Sequence, residues 1–362
     1  MKILVCEHLT AKGHTNLCAN VCRLLTMGGH HVIAVIPQNF TKDLSFCEVV
    51  RMKLKYYYDE YPHKRSTLTK ASYCLKVQRF ISNLYKVCDV EATFVVTYDE
   101  VSLALGRLAG YMKGITFVLQ NVNPDSIQES KIHRLAYELI KRRVYSVVLG
   151  GFIKDFLVFS LKTDPRMVSV LPHPLNTVDD ISESDIDCVG ISNSNDDSIV
   201  EKIIEKEKKE GIIRKNGLKV ILKSKNYKFD NGYLKIISGF IDSEIYDDYI
   251  SRAKCIFLPF PLSFKSRMSG TLIEALSNRK SVIGTNIPAV VHAEKCYSTV
   301  IKRYNESTFI DDIIDAGMVN EVKNKAFDRF KYWHSDNVLC ALLSEAIENA
   351  IANKPMNDAF DF

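Results

Sequence analysis

The chain has 362 residues, a formal net charge of +5 at pH 7, 46% hydrophobic residues and 25% charged residues. This length suffices for two domains of ordinary size, and the composition excludes a disordered or fibrous protein. The ten cysteines are scattered through apolar segments without metal-type spacing, so they favour a reduced, cytoplasmic setting.

Strands and helices alternate along the first half of the chain. MKILVC runs directly into a polar loop and predicts a first strand rather than a secretory signal, and HTNLCANVCRLLTMGGH predicts the helix that follows. Further strands are predicted at HVIAVI, FVVTY (94–98), ITFVL (115–119) and VYSVVLG, with a helix around IHRLAYELIKRR, before MVSVLPHPL ends the half. This alternation predicts a doubly wound parallel sheet with right-handed crossovers.

The second half repeats this alternation after the polar segment VDDISESD (178–185), a predicted inter-domain linker. Strands are predicted at IDCVGIS, LKVILKS and LKIISGF, and helices at DSIVEKIIEKEKKEG and YDDYISRA. Two more helices, about NESTFIDDIIDAG and NVLCALLSEAIENAIA, end the chain. The sequence therefore predicts a second parallel-sheet domain.

Residues 255–288 carry the most specific pattern in the chain. Cys255 to Leu258 is a buried-type strand ended by prolines, and Ser269 with Gly270 opens a helix over about 271–277. Lys265 and Arg267 precede this helix N-terminus, whose free N–H groups and dipole favour an anion such as a diphosphate. Amides at Ser269, Gly270 and Thr271 would contact the diphosphate, and Glu274, one turn further along, could accept hydrogen bonds from ribose hydroxyls.

The segment SGTLIEALSNRKSVIGTNIP resembles the nucleotide-sugar signature of GT-B glycosyltransferases, in particular the retaining family 4 (glycosyl transferases group 1). The resemblance covers nearly the whole chain and implies two Rossmann-like, doubly wound parallel-sheet domains facing a cleft. It implies an acceptor domain at 1–175, a donor domain at 185–334 and a C-terminal helix, within 335–362, packed on the first domain. Most members have a second glutamate where this chain has Ser266.

The first predicted strand-to-helix loop contains Gly13 and His14. A glycine there lets backbone approach a phosphate or sugar, and the loop lacks the G-x-G-x-x-G pattern of dinucleotide-binding oxidoreductases. The resemblance implies that His14 is a base or orients the acceptor, the alternative being a histidine that pairs with a helix end. Asp99, after a strand, could orient or deprotonate an acceptor hydroxyl, and equally could be the N-cap of the next helix.

Further donor-site candidates lie in the second half. Lys223 and Lys225 follow LKVIL and, with Lys265 and Arg267, could neutralise the leaving diphosphate. By resemblance alone, the loop at Phe240 contacts the nucleobase. Because cationic side chains and a helix N-terminus can take the phosphate charge, we expect no required metal and no cofactor besides the nucleotide-sugar substrate.

Residues 51–88 are basic and rich in tyrosine. They contain nine Lys/Arg and two acidic residues, and residues 1–172 as a whole contain 23 Lys/Arg against 14 Asp/Glu. An amphipathic basic helix with tyrosines fits an anionic membrane surface, and the same composition fits single-stranded nucleic acid or an ordinary domain helix. We favour the membrane over nucleic acid as a partner.

These patterns together predict a glycosyltransferase. It would move a sugar from a nucleotide-sugar donor to a glycan or lipid-linked acceptor in polysaccharide or glycolipid synthesis, in the cytoplasm or on the cytoplasmic face of a membrane. Two alternatives share the fold: a sugar-nucleotide epimerase, and a non-catalytic binding protein, which the serine at position 266 suggests.

Overall fold

The computed structural model describes residues 1–9, 15–61, 66–177, 184–239 and 241–352. The chain divides into two compact units: Met1–Pro174 joined by the C-terminal segment that starts at Ser335, and Leu175–His334. Each unit contains a seven-stranded sheet flanked by helices. The prediction of two parallel-sheet α/β domains is confirmed.

The sheet of the first unit is parallel throughout, with strand order β3-β2-β1-β4-β5-β6-β7. Its strands are β1 (Lys2–Glu7), β2 (His31–Ile36), β3 (Glu48–Arg51), β4 (Ala92–Thr97), β5 (Ile115–Gln120), β6 (Tyr145–Val148) and β7 (Val168–Val170). Its helices are α1 (Thr15–Met27), α2 (Tyr57–Glu60), α3 (Thr67–Val87), α4 (Glu100–Leu108), α5 (Asn123–Glu129), α6 (Lys131–Ile140), α7 (Gly151–Asp155) and the C-terminal α15 (Asp336–Ala352). A π-helical turn at Phe156–Ser160 continues α7.

The helices of the first unit lie on both faces of this sheet, and the strand order with the handedness of the connections between parallel strands shows which helix lies on which face. The chain moves one way from β1 to β2 and the other way from β3 to β7, so right-handed crossovers place α1 on one face and α3, α4 and α6 on the other. α15 packs beside α1, where Arg23 forms an ion pair with Asp336. The hydroxyl of Tyr145 donates to the carbonyl of Ala350 at 3.0 Å.

The sheet of the second unit has the order β10-β11-β9-β8-β12-β13-β14, and the edge strand β10 is antiparallel to β11. Its strands are β8 (Ile186–Gly190), β9 (Val220–Lys223), β10 (Phe229–Asp230), β11 (Leu234–Ile237), β12 (Ala253–Leu258), β13 (Ser281–Gly284) and β14 (Ile301–Arg303). Its helices are α8 (Asp197–Glu210), α9 (Ile212–Lys215), α10 (Ser243–Arg252), α11 (Gly270–Ser277), α12 (Pro288–Tyr297), α13 (Phe309–Gly317) and α14 (Glu321–Trp333). Cys188, Leu222 and Phe257 lie fully buried at the centre of its core.

In the basic, tyrosine-rich region, some tyrosines are buried and others are exposed. Tyr56, Tyr57 and Tyr73 are buried, and the hydroxyl of Tyr73 donates to the carbonyl of Lys55 at 2.8 Å. The ring of Tyr57 contacts the rings of Tyr61 and Tyr73 at centroid distances of 5.6 and 5.4 Å. Because these rings fill the space between α2 and α3, the buried tyrosines belong to the packing of the domain, whereas Tyr58 is 48% exposed. Membrane contact of this region stays a prediction. Within the described residues, no helix is long and apolar enough to span a bilayer.

Candidate functional site

The candidate donor site lies at the carboxyl ends of the strands of the second sheet, where open α/β sheets bind ligands. β12 ends in the apolar run CIFL (255–258) before Pro259, and a loop leads from there into α11. Ser269 is the N-cap of α11, and its side chain accepts a hydrogen bond from the N–H of Leu272 at 3.2 Å. The N–H groups of Gly270 and Thr271 come next, and in a helix these first donors have no acceptor within the helix itself.

Gly270 occupies the first position of α11 in open surroundings. A Cβ placed on Gly270 would meet no atom within 4 Å, whereas one on Gly190 would lie 2.9 Å from the carbonyl oxygen of Phe257. Packing therefore explains a glycine at 190 but not at 270. The space beside the helix N-terminus suits the close approach of a ligand to the backbone.

Two cations lie on the loop that precedes the helix. The guanidinium of Arg267 stacks over the ring of Phe264 at 4.1 Å from its centroid, which restrains the side chain. Lys265 is exposed, and Ser266 between them is buried. The loop therefore presents positive charge beside the start of α11, and the residue between the two cations is a serine.

Glu274 is buried inside the second unit and already has partners there. Its Oε2 accepts a hydrogen bond from the hydroxyl of Tyr246 at 2.6 Å, and its Oε1 accepts one from Nδ2 of Asn176 at 2.8 Å. Burial raises the pKa of Glu274 to about 7, although the hydrogen bond from Tyr246 lowers it in part. A ribose at this position would share a carboxylate that α10 and the segment before β8 hold in place.

The loops after β8 and β9 meet next to this site. Nζ of Lys223 donates to Oδ1 of Asn193 at 2.5 Å, and Nδ2 of Asn195 donates to the carbonyls of Gly190 and Lys223. Burial lowers the pKa of Lys223. The side chain of Lys225 is exposed, and its backbone N–H donates to Asp197. These contacts fix both loops at the edge of the sheet where the β12–α11 loop lies. Phe240 falls outside the described residues.

Asp99 begins α4 in the first unit, as the N-cap alternative predicted. Its Oδ2 accepts hydrogen bonds from the N–H and the hydroxyl of Ser102 at 3.0 and 2.6 Å, and Nζ of Lys70 lies 2.6 Å from its Oδ1. Burial disfavours ionisation of Asp99, but Lys70 and Ser102 outweigh it and lower the pKa of the carboxyl. Gly13 and His14 lie outside the described residues.

Sequence reasoning missed the neighbours of Asp99. Oε2 of the buried Glu100 lies 2.6 Å from Nδ1 of His133, which raises the pKa of His133. Oε1 of Glu100 accepts a hydrogen bond from Asn123 at 2.7 Å. Within the described residues, Asp99, Glu100 and His133 are the group whose ligand atoms could surround a metal ion. Each already has a protein partner, so these contacts account for the cluster as a hydrogen-bonded network.

Two ionisable residues at the end of β1 are fully buried. Burial raises the pKa of Glu7 to about 8 and lowers that of His8 to about 3. Both groups are thereby biased towards their neutral forms at neutral pH. They lie shortly before Gly13 and His14 in the sequence, directly after the apolar run MKILVC, and no sequence pattern singled them out.

Comparisons with known proteins support the fold. No protein-family model and no curated protein sequence matches the chain. A glycosyltransferase from Rickettsia africae is similar at TM-score 0.61 and 14% identity, over 98% of this chain and 99% of that one. A putative UDP-N-acetylglucosamine 2-epimerase from Listeria monocytogenes reaches 0.64 at 11%, over 100% and 99%. The Anabaena protein HepE, solved with UDP and glucose, reaches 0.59 at 10%, over 96% and 99%. At these identities the likeness shows the fold alone, which is that of the GT-B proteins.

Proposed function

We propose that this protein is a GT-B glycosyltransferase that uses a nucleotide-sugar donor, of which a UDP-sugar is the first candidate. The observation that carries the proposal is the start of α11, where two helix N–H groups, an open glycine and two loop cations converge. The likeness to a glycosyltransferase and to a protein solved with UDP and glucose supports this choice of substrate.

In this proposal the second unit binds the donor. The N–H groups at Ser269, Gly270 and Thr271, with Lys265 and Arg267, bind the diphosphate and stabilise the charge that develops as it leaves. Glu274 accepts hydrogen bonds from the ribose. Lys223 and Lys225 supply further positive charge, and the segment at Phe240 contacts the base. No metal or other cofactor is required in this proposal, because side-chain cations and helix N–H groups take the phosphate charge.

The first unit would bind the acceptor, a hydroxyl of a glycan or of a lipid-linked sugar, in the synthesis of a polysaccharide or glycolipid. We assign His14 and Asp99 to the acceptor hydroxyl and propose retention of anomeric configuration, in line with the sequence resemblance. We further propose a cytoplasmic protein, peripheral on the membrane, without a nucleic-acid partner.

An epimerase that acts on the same donor is the second candidate, favoured by the likeness to a putative UDP-N-acetylglucosamine 2-epimerase. Incubation with the nucleotide-sugar alone separates the two, because an epimerase forms the epimer without an acceptor. A non-catalytic binding protein, which Ser266 suggests, would bind the donor without any turnover.

The test is a panel of UDP-, GDP- and dTDP-sugars in a thermal-shift assay. A ligand at about 100 times its Kd stabilises the native state by about 2.7 kcal/mol, which raises the melting temperature. Arg267→Ala should remove the shift, while Arg279→Ala, at the opposite end of the same helix, should retain it. If no nucleotide-sugar shifts the wild type, or if both variants respond equally, the proposed donor site is wrong.

A further inference from the structure

The outer faces of α4 and α6 expose five large apolar side chains in the first unit: Leu105, Leu108, Ile132, Leu135 and Leu139. The three on α6 are spaced i, i+3 and i+7, so they form one stripe along the helix. Leu108 and Ile132 are 75% and 67% exposed. The two helices pack side by side, and the guanidinium of Arg107 donates to the carbonyl of Leu139.

The core does not need this stripe. α6 buries Ala136, Tyr137 and Ile140, so its inner face already supplies the contacts that hold it in the unit. The helix is therefore apolar on two sides, one buried and one exposed. Exposed apolar side chains that cluster on adjacent elements mark an interaction surface, whereas single ones are normal.

Basic side chains surround the stripe. Lys131 and Arg134 lie on α6, and the exposed face of α3, which packs beside α4, carries Lys76, Arg79 and Lys86. None of these five forms an ion pair with a described residue. The three helices contain two acidic residues: Glu100, which is buried, and Glu138, which pairs with Lys141 at 2.7 Å. The layer is thus strongly positive around an apolar centre.

We propose that this layer of α3, α4 and α6 docks on an anionic lipid bilayer. The Leu and Ile side chains enter the boundary between headgroups and acyl chains, and the lysines and arginines contact the lipid phosphates. A second copy of this chain fits less well, because the dimer would bring two positive rims together. A nucleic acid would use the cations but would leave the five apolar side chains without a role.

This proposal does not depend on the nucleotide-sugar site. It also places the apolar part of the surface outside residues 51–88. The basic face of α3 contributes charge, but the buried tyrosines of residues 51–88 contribute none of the apolar contact. Instead, the apolar contact comes from α4 and α6, which lie beyond that region.

The test is flotation of the full-length protein with vesicles of phosphatidylcholine alone or mixed with equal phosphatidylglycerol. Wild type should bind the anionic vesicles, release at high salt, and bind the neutral ones weakly. Ile132→Ser/Leu135→Ser/Leu139→Ser should lower partitioning at least about tenfold. Met318→Ser/Val319→Ser/Val322→Ser, which replaces three exposed apolar side chains of the second unit, should not.

Circular dichroism and melting temperature check that each variant folds. Lys131→Glu/Arg134→Glu, on the same helix, serves as an independent variant should the apolar triple lose its fold, and it too should abolish binding to anionic vesicles. Three results would each overturn the proposal. The first is that the wild type fails to bind anionic vesicles at low salt, and the second is that the folded variants bind them as well as wild type does. The third is that the wild type forms a dimer that the apolar triple variant converts to a monomer.

Discussion

The buried carboxylate of Glu274 should make the stability of the second unit depend on pH in an unusual direction. Its pKa lies near 7 in the folded protein, against an ordinary value of 4.5, because burial penalises the charged form. Between these two values the folded state therefore binds a proton that the unfolded chain has released. Stability must then fall as pH rises from about 4.5 to 7, and it stays low above that range.

The size of the effect follows from the same two values. A difference of one pKa unit corresponds to about 1.4 kcal/mol, so the loss across this window is about 3 kcal/mol. Glu274→Gln keeps an acceptor for Asn176 and a partner for Tyr246 but cannot ionise. At pH 8 this variant should be more stable than wild type by up to about 3 kcal/mol, and near pH 4.5 the two should converge.

Urea unfolding followed by tryptophan fluorescence measures this stability selectively. The one tryptophan of the chain, Trp333, ends α14 of the second unit. α14 packs against α11, and Asp328 of α14 pairs with Arg279, just after α11, at 2.8 Å. The buried Glu7 belongs to the other unit and does not enter the signal directly. Tyr246→Phe removes a hydrogen bond that lowers the pKa, so it should extend the sensitive range to higher pH. Equal pH slopes for wild type and Glu274→Gln would refute the reasoning.

Three further variants test the site. Gly270→Ala should leave the protein as stable as wild type or up to about 1 kcal/mol more stable, yet it should weaken donor binding in a thermal-shift titration. Gly190→Ala serves as the contrast, because its Cβ would crowd Phe257 and should destabilise the fold. Arg267→Lys keeps the positive charge but removes the two parallel hydrogen bonds that a guanidinium can donate to a phosphate. Calorimetry should show a loss of about 1–2 kcal/mol in donor affinity. Unchanged affinity would show that Arg267 does not contact the diphosphate. Asp99→Asn preserves the helix cap within a few tenths of a kcal/mol. Full turnover in Asp99→Asn would leave Asp99 a structural role alone, and abolished turnover in a folded protein would support the acceptor role.

The two sheets could be predicted because their strands contain continuous apolar runs, such as residues 3–6 and 255–258, that are buried on both faces. The N-terminus of α11 could also be predicted, because the adjacent Ser269 and Gly270 form an N-cap pattern after two cationic residues. α14 was missed although Asn320 caps it and Ala326, Phe327 and Phe330 share its buried face. Its many charged residues obscured that spacing.

Long-range pairings were beyond the sequence. Glu100 and His133 are 33 residues apart, and they meet because α4 and α6 both begin at the same edge of the first sheet. Asn176, in the segment before β8, and Glu274, in α11, meet across 98 residues. The sequence left open whether the tyrosines of residues 51–88 face a membrane or pack in the domain, and the contact between the rings of Tyr57 and Tyr73 shows packing for these two. The composition of a segment therefore does not determine which of its side chains are buried, because burial depends on tertiary packing.

The loop before α11 shows how the loss of one carboxylate changes the balance of a site. Ser266 is buried between Lys265 and Arg267. An ionised glutamate in that place would offset part of their charge and would need its own hydrogen bonds to remain buried. Serine at position 266 carries no charge and offsets none of the positive charge of Lys265 and Arg267, so this charge can attract an anion at the helix N-terminus. The carboxylate that remains, Glu274, accepts hydrogen bonds from Tyr246 and Asn176, and burial raises its pKa to about 7, although the bond from Tyr246 lowers it in part. Ribose hydroxyls that donate to it would favour the ionised form, so donor binding at this site should strengthen as pH rises through 7.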